Sequence, residues 1–167
     1  VSLTAFAACS STSDEAAAEA TEEVSESGID GTTRRAREQA EAAEARAAAA
    51  AERVMRAALE TTVFYFDFDI AEFRAADRDV LSFHAKDLAA NSSKSLRLEG
   101  HADERGTREY NLALGERRAS AIQNYLIVNG ASRSQIEIVS YGEEQPAQRG
   151  TGESAYQQNR RVKLIAR

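Results

Sequence analysis

Leu96-Arg97-Leu98-Glu99-Gly100-His101-Ala102-Asp103-Glu104-Arg105-Gly106-Thr107, with the run Tyr110-Asn111-Leu112-Ala113-Leu114-Gly115-Glu116-Arg117-Arg118-Ala119 behind it, decides how this chain folds. Leu96 to Gly100 alternates apolar and polar side chains, the two-residue period of a strand with one buried face. Beyond a polar loop, Leu112, Gly115, Ala119, Ile122 and Leu126 recur at helical spacing, and Asn129-Gly130 ends the pattern as a helix C-terminus should. A strand that feeds a helix through a short loop is the unit of an α/β domain.

The flanking sequence extends this reading on both sides. Upstream, Phe64, Phe66 and Phe68 fall on one face of a strand and are expected in the core. Asp69-Ile70-Ala71-Glu72 has the form of a helix cap, and Phe73, Val80, Leu81, His84 and Leu88 follow at helical spacing. Downstream, Ile136-Glu137-Ile138 leads into a third strand, Gly142 to Gly152 is read as a loop, and Val162-Lys163-Leu164 lies in a fourth strand. The expected order is β-α-β-α-β-β, a two-layer α/β domain over residues 61–167.

The loop after the second strand brings Asp103 to the mouth of the following helix, at a strand end where α/β folds commonly bind ligands. Asn111, Leu114 and Arg118 form a second stripe on that helix, about 75° around from the core stripe and on the border between core and solvent. An Asp and an Arg held there could grip a ligand carrying both an ammonium and a carboxylate, or could pair with each other. Spacing alone leaves both open. His101 has no second His or Cys ligand nearby and reads as structural, Arg160-Arg161 as residues framing the fold, and Glu143-Glu144 as a solvated turn.

Charge is distributed unevenly. The formal net charge is −6, yet Ser10 to Thr33 alone holds seven acids and no base, whereas residues 61–167 hold 15 of each sign. A nucleic-acid binder would concentrate Lys and Arg, so that class is excluded for the neutral domain. Residues 9–33, rich in Ser, Thr, Ala and Glu, lack the apolar side chains that would offset ordering and are expected to be a flexible tether. Residues 34–60 are Ala-rich without Gly or Pro and predict a solvated helical spacer of roughly 40 Å. One Cys and two His exclude a disulfide scaffold and a His-rich metal centre, so no cofactor or metal is expected.

That one cysteine closes the apolar start of the chain. Residues 1–8 look like the end of an export signal, and Phe6-Ala7-Ala8-Cys9 resembles the bacterial lipobox, which implies lipidation of Cys9. Ser10 is not the Asp that retains many such lipoproteins at the inner membrane, so the resemblance favours the outer membrane.

Phe66-Asp67-Phe68-Asp69, the Gly100–Thr107 stretch, Asn111 to Ala119, Val139-Ser140-Tyr141-Gly142 and Asn159-Arg160-Arg161 together resemble the OmpA-like C-terminal domain family, over about residues 62–167. The resemblance implies a mixed four-stranded sheet and a non-catalytic domain that binds peptidoglycan through the meso-diaminopimelate of its stem peptides. By motif, Asp103 would take the ligand ammonium and Arg118 its carboxylate. Phe68 and Asp69 would contribute main-chain donors, while Arg105, Asn111 and Leu114 would line the pocket. Either Asp103→Ala or Arg118→Ala is then expected to abolish wall binding with the melting temperature nearly unchanged. The resemblance also implies partnership with the Tol system, notably the periplasmic propeller protein TolB, although a wall-binding lipoprotein acting outside that system is the alternative. A wall-cleaving enzyme would need a nucleophile or metal motif, and neither Ser-x-x-Lys nor His-x-x-Glu-His occurs.

Overall fold

A computed structural model of the chain describes residues 26–167. Its elements are α1 (Glu26–Glu60), β1 (Val63–Tyr65), α2 (Arg78–Ala90), β2 (Leu96–His101), α3 (Arg108–Val128), β3 (Ile136–Gly142), α4 (Glu153–Asn159) and β4 (Arg161–Ala166). The sheet runs β1-β4-β2-β3, with β4 antiparallel to both neighbours and β2 parallel to β3. It is therefore the expected mixed four-stranded sheet, with the last strand in sequence at its interior. Register sets Tyr65 opposite Arg161 and Gly100 opposite Val162, so the C-terminal ends of β1 and β2 meet the start of β4. That meeting point is the frame on which the candidate site is built.

The core lies between the sheet and helices α2 and α3. Phe64 and Phe66 from the β1 region, Leu81 and Leu88 from α2, Leu98 from β2, Ile122 and Leu126 from α3, and Val162 from β4 are all essentially inaccessible. Thr107 caps α3, its hydroxyl accepting from the Tyr110 N–H at 3.2 Å. Glycines 100 and 115 let α3 approach β2 backbone to backbone, and Ser140 Oγ of β3 donates to the Leu112 carbonyl at 2.6 Å.

Four expectations are corrected. The helix begins at Glu26 rather than Arg34, so residues 26–33 are helical and not tether. Propagation through Gly28 and Gly31 costs about 1 kcal/mol each relative to alanine, a cost the Ala-rich turns that follow can carry. No helix starts at the Asp69–Glu72 cap, because Asp69 adopts φ 59° and turns the chain; α2 waits until Arg78. Phe66 keeps a strand-like bond, its N–H donating to Arg160 O at 2.8 Å, but Phe68 lies past the strand and is 56% exposed instead of core. Finally, α4 occupies a stretch that carried no helical reading, since seven residues with one buried alanine and one buried asparagine leave almost no periodic signal. The remaining tether, the signal remnant and Cys9 lie outside the described residues.

By compactness the chain divides between Glu44 and Ala45, within α1. The second unit includes the end of that helix, where Ala58 is buried and its carbonyl accepts from the Thr61 N–H at 3.0 Å. Among the described residues no helix is long and apolar enough to cross a membrane.

Both histidines are buried. His84 Nε2 meets the Thr61 carbonyl at 2.9 Å, whereas neither ring nitrogen of His101 has a partner, its ring stacking on Tyr141 at 5.5 Å. Burial pushes His84 down, and burial together with Arg161 and Lys163 pushes His101 down to about 4. A depressed histidine is neutral in the fold, so its stabilisation is present above pH 6.5 and is lost as pH falls through the window from 6.5 towards about 4. His101 alone accounts for up to about 3 kcal/mol over that window. Asp103, whose carboxyl is held below the usual range, loses its contribution only at lower pH. Urea unfolding at pH 7 and pH 4.5 should therefore show a marked loss in the parent chain and a clearly smaller one in His101→Phe. Equal losses in the two would refute this origin.

Candidate functional site

The sheet end described above opens into a cleft of about 210 Å³ lined by Phe68, Asp69, Asp103, Arg105, Gly106, Tyr110, Asn111, Leu114 and Arg118. The fold brings all seven residues named from the sequence motifs to this one cleft. Gly106 and Tyr110 are additions.

Arg118 is fully buried, not placed on a border with solvent. Its Nε donates to Ile70 O at 2.9 Å, Nη1 to His101 O at 2.9 Å and Nη2 to Asp67 O at 3.0 Å. One guanidinium thus ties the turn after β1 to the end of β2. Burial pulls its pKa down to about 10, which leaves it protonated at neutral pH. These bonds use one hydrogen on each terminal nitrogen and leave the other available. Asn111 and Leu114 are likewise buried: Asn111 Nδ2 donates to the Asp103 carbonyl at 3.0 Å and also to Glu143 Oε2.

Asp103 and Arg118 do not pair with each other. Asp103 is 4% exposed, and its Oδ1 accepts from the Arg105 backbone N–H at 3.1 Å and from Arg105 Nε at 3.2 Å. Its Oδ2 accepts from Arg105 Nη2 at 2.6 Å and from Arg160 Nη1 at 3.2 Å. Burial pushes this carboxyl up, but the hydrogen bonds from the two arginines outweigh burial and hold it below the usual range. Arg160 also donates to Phe66 O at 3.1 Å and to Glu153 Oε1 at 2.6 Å. It does frame the fold, and in doing so it reaches the site, which nothing in its sequence context disclosed. The signal was absent because β4 meets β2 only through long-range pairing.

On the outer side, the Arg105 guanidinium carbon lies 4.1 Å from the Phe68 ring centre and 4.5 Å from that of Tyr156. Tyr110 donates its hydroxyl to Asp69 Oδ1. Tyr110 was legible in principle, since it precedes Leu114 by one helical turn. The N–H groups of Phe68 and Asp69 have no protein acceptor among the described residues, and Asp69 stands at φ 59°. Successive main-chain donors about a left-handed residue form a concavity suited to an anion. The cleft is thus lined by a carboxylate, Asp103, a guanidinium, Arg118, and the Phe68–Asp69 turn. Among the described residues no cluster of His, Cys, Asp and Glu could hold a metal.

The OmpA family model matches residues 65–160. This chain belongs to the OmpA family. Its family domain is 53% identical over 103 residues to the peptidoglycan-associated lipoprotein of Pseudomonas putida, a match covering 62% of this chain and 61% of that protein. The peptidoglycan-associated lipoprotein of Pasteurella multocida is 46% identical over 100 residues, 60% of this chain and 67% of that one. The match thus spans about three fifths of the length of the Pseudomonas putida relative. The crystal structure of the peptidoglycan-associated lipoprotein from Burkholderia pseudomallei aligns with a TM-score of 0.65 at 38% identity, over 66% of this chain and 93% of that one. The C-terminal domain of Helicobacter pylori MotB, at 19% identity and TM-score 0.58, shares the fold.

Proposed function

We propose that this chain is a non-catalytic lipoprotein of the outer membrane whose OmpA-family domain binds peptidoglycan and so tethers membrane to wall. The observation that carries the reading is the convergence on one cleft of Asp103, Arg118 and the Phe68–Asp69 turn, whose two N–H groups have no protein acceptor among the described residues. The names of the relatives supply the ligand class. In this reading the ligand is the meso-diaminopimelate of a stem peptide. Asp103 meets its ammonium, while Arg118 and the main-chain donors of the Phe68–Asp69 turn meet its carboxylate. Cys9 carries the lipid, the domain faces the periplasm of a Gram-negative cell, and TolB of the Tol system is the protein partner.

Sedimentation with purified sacculi tests the wall contact. Asp103→Asn keeps the size of the side chain and removes its charge, and it should leave the pellet empty of protein. Discrimination gives the second arm: a lysine-type stem peptide lacks the extra carboxylate and leaves the buried Arg118 unmatched, a penalty of about 2 to 5 kcal/mol. Equal affinity for the diaminopimelate and lysine peptides would sink the zwitterion site. Mass spectrometry of the mature N-terminus, with a search for acyl chains on Cys9, tests the anchor separately.

A further inference from the structure

The carboxylate assigned above to the ligand ammonium is already saturated by the protein itself. A carboxylate offers about four acceptor positions. On Asp103, Arg105 takes three of them and Arg160 the fourth. A ligand ammonium can therefore reach Asp103 only by replacing one of these donors.

The two arginines are not equally replaceable. Arg160 is 4% exposed and is held on its other sides by Phe66 O and Glu153, so its departure would strand a buried carbonyl and a buried charge. Arg105 has a side chain 35% exposed, stands on a loop beside Gly106 at φ 111°, and makes no bond to a main-chain carbonyl. Its outer nitrogen already lies 3.5 Å from Glu153, whose side chain is 65% exposed. The guanidinium lies against the rings of Phe68 and Tyr156, which can keep it while its hydrogen-bond partner changes.

We propose that Arg105 is an internal stand-in for the ligand ammonium, released from Asp103 towards Glu153 when ligand enters, while Arg160 remains as the residue that positions the carboxylate. This rests on the reading of Asp103 as the ammonium partner. The arrangement keeps a buried carboxylate paired when no ligand is present, where a lone charge would be costly. It also sets an affinity threshold, since every ligand meets the same displacement cost. A simple amine must displace a guanidinium that already meets both carboxylate oxygens, and it has nothing with which to compensate. A zwitterion compensates through its carboxylate at Arg118 and the Phe68–Asp69 turn.

The test is titration of the full chain with a diaminopimelate-containing tripeptide, followed by calorimetry and by NMR of arginine side-chain N–H groups. Arg105→Met keeps an apolar stem against the rings of Phe68 and Tyr156 and removes the competing charge. If Arg105 covers Asp103 in nine of ten molecules, this variant binds both peptides about tenfold more tightly and keeps its preference for the diaminopimelate peptide, because the same displacement is asked of each. Arg160→Gln should weaken binding by at least about tenfold, since Asp103 then loses its fixed partner. In the parent chain the Arg105 Nε–H resonance should move on titration while that of Arg160 stays. Weaker binding by Arg105→Met at an unchanged melting temperature, or an unmoved Arg105 resonance at saturation, would overturn the exchange. Absence of binding by the parent chain is a different result, which removes the diaminopimelate reading and the exchange along with it.

Discussion

Arg118→Ala should lower the melting temperature of the domain by about 12 to 20 °C, as well as abolish binding to the wall. The sequence motif alone leads to a different expectation, loss of binding with the fold untouched, because it places Arg118 on a border with solvent. In the structure the residue is fully buried and donates to the carbonyls of Asp67, Ile70 and His101. Truncation leaves those carbonyls without their charged donor, each costing about 1 to 3 kcal/mol if water cannot reach it. The cleft lies against this side chain, so some water will enter, and a total of about 3 to 5 kcal/mol is reasonable. Arg118→Lys should recover little, since one ammonium on a flexible stem cannot address three carbonyls that a rigid fork reaches together. Thermal melts of both variants decide the matter, and a melting temperature for Arg118→Ala within about 3 °C of the parent would refute the structural part of the role.

Gly100→Ala should be worse still. A Cβ at Gly100 would lie 2.0 Å from the Gly115 carbonyl oxygen and 2.5 Å from its carbon, both backbone atoms of α3. No rotamer change relieves such a contact. The helix would have to lift from β2, opening the core around Ala119 and Ile122, so a cost above about 4 kcal/mol is expected and little soluble protein should form. Gly115→Ala meets Ser140 Oγ at 2.4 Å, with the Gly100 oxygen at 3.0 Å. The hydroxyl can rotate away at the expense of its bond to Leu112 O, so this variant should fold with a loss of about 2 to 4 kcal/mol. The order of the two is the sharper forecast. A soluble Gly100→Ala that melts above Gly115→Ala would show that the helix slides along the strand more easily than the contact implies.

Much of the site was legible because its residues sit in one continuous motif. Asp103, Asn111, Leu114 and Arg118 occupy a strand end and the first turns of α3, where local spacing alone places side chains near one another. Arg105, Phe68 and Asp69 entered through family resemblance, and for the Phe68–Asp69 pair the backbone was not foreseen. Their conformation did not follow: Phe68 was expected in the core by its alternation with Phe64 and Phe66, and the φ of 59° at Asp69 that ends the alternation leaves no mark in composition. Arg160, Glu153 and Tyr156 were harder, because α4 has little hydrophobic period and they reach the site only after β4 inserts between β1 and β2. The acidic region showed the reverse error. Composition argued for a tether to residue 33, yet helix runs back to Glu26, since an Ala-rich helix once nucleated extends at small cost per residue.

The sequence by itself determined that this is a two-layer α/β domain of neutral charge with an Asp and an Arg brought to one strand end, because period and motif are local quantities written along the chain. Only the tertiary structure decided what those two residues face. Long-range strand order set Arg160 on Asp103 beside the locally placed Arg105, and on Arg118 it set three carbonyls from two segments, the turn after β1 and the end of β2. A charge taken out of water must be matched by whatever the fold brings within about 3 Å, and no spacing along the chain specifies that partner.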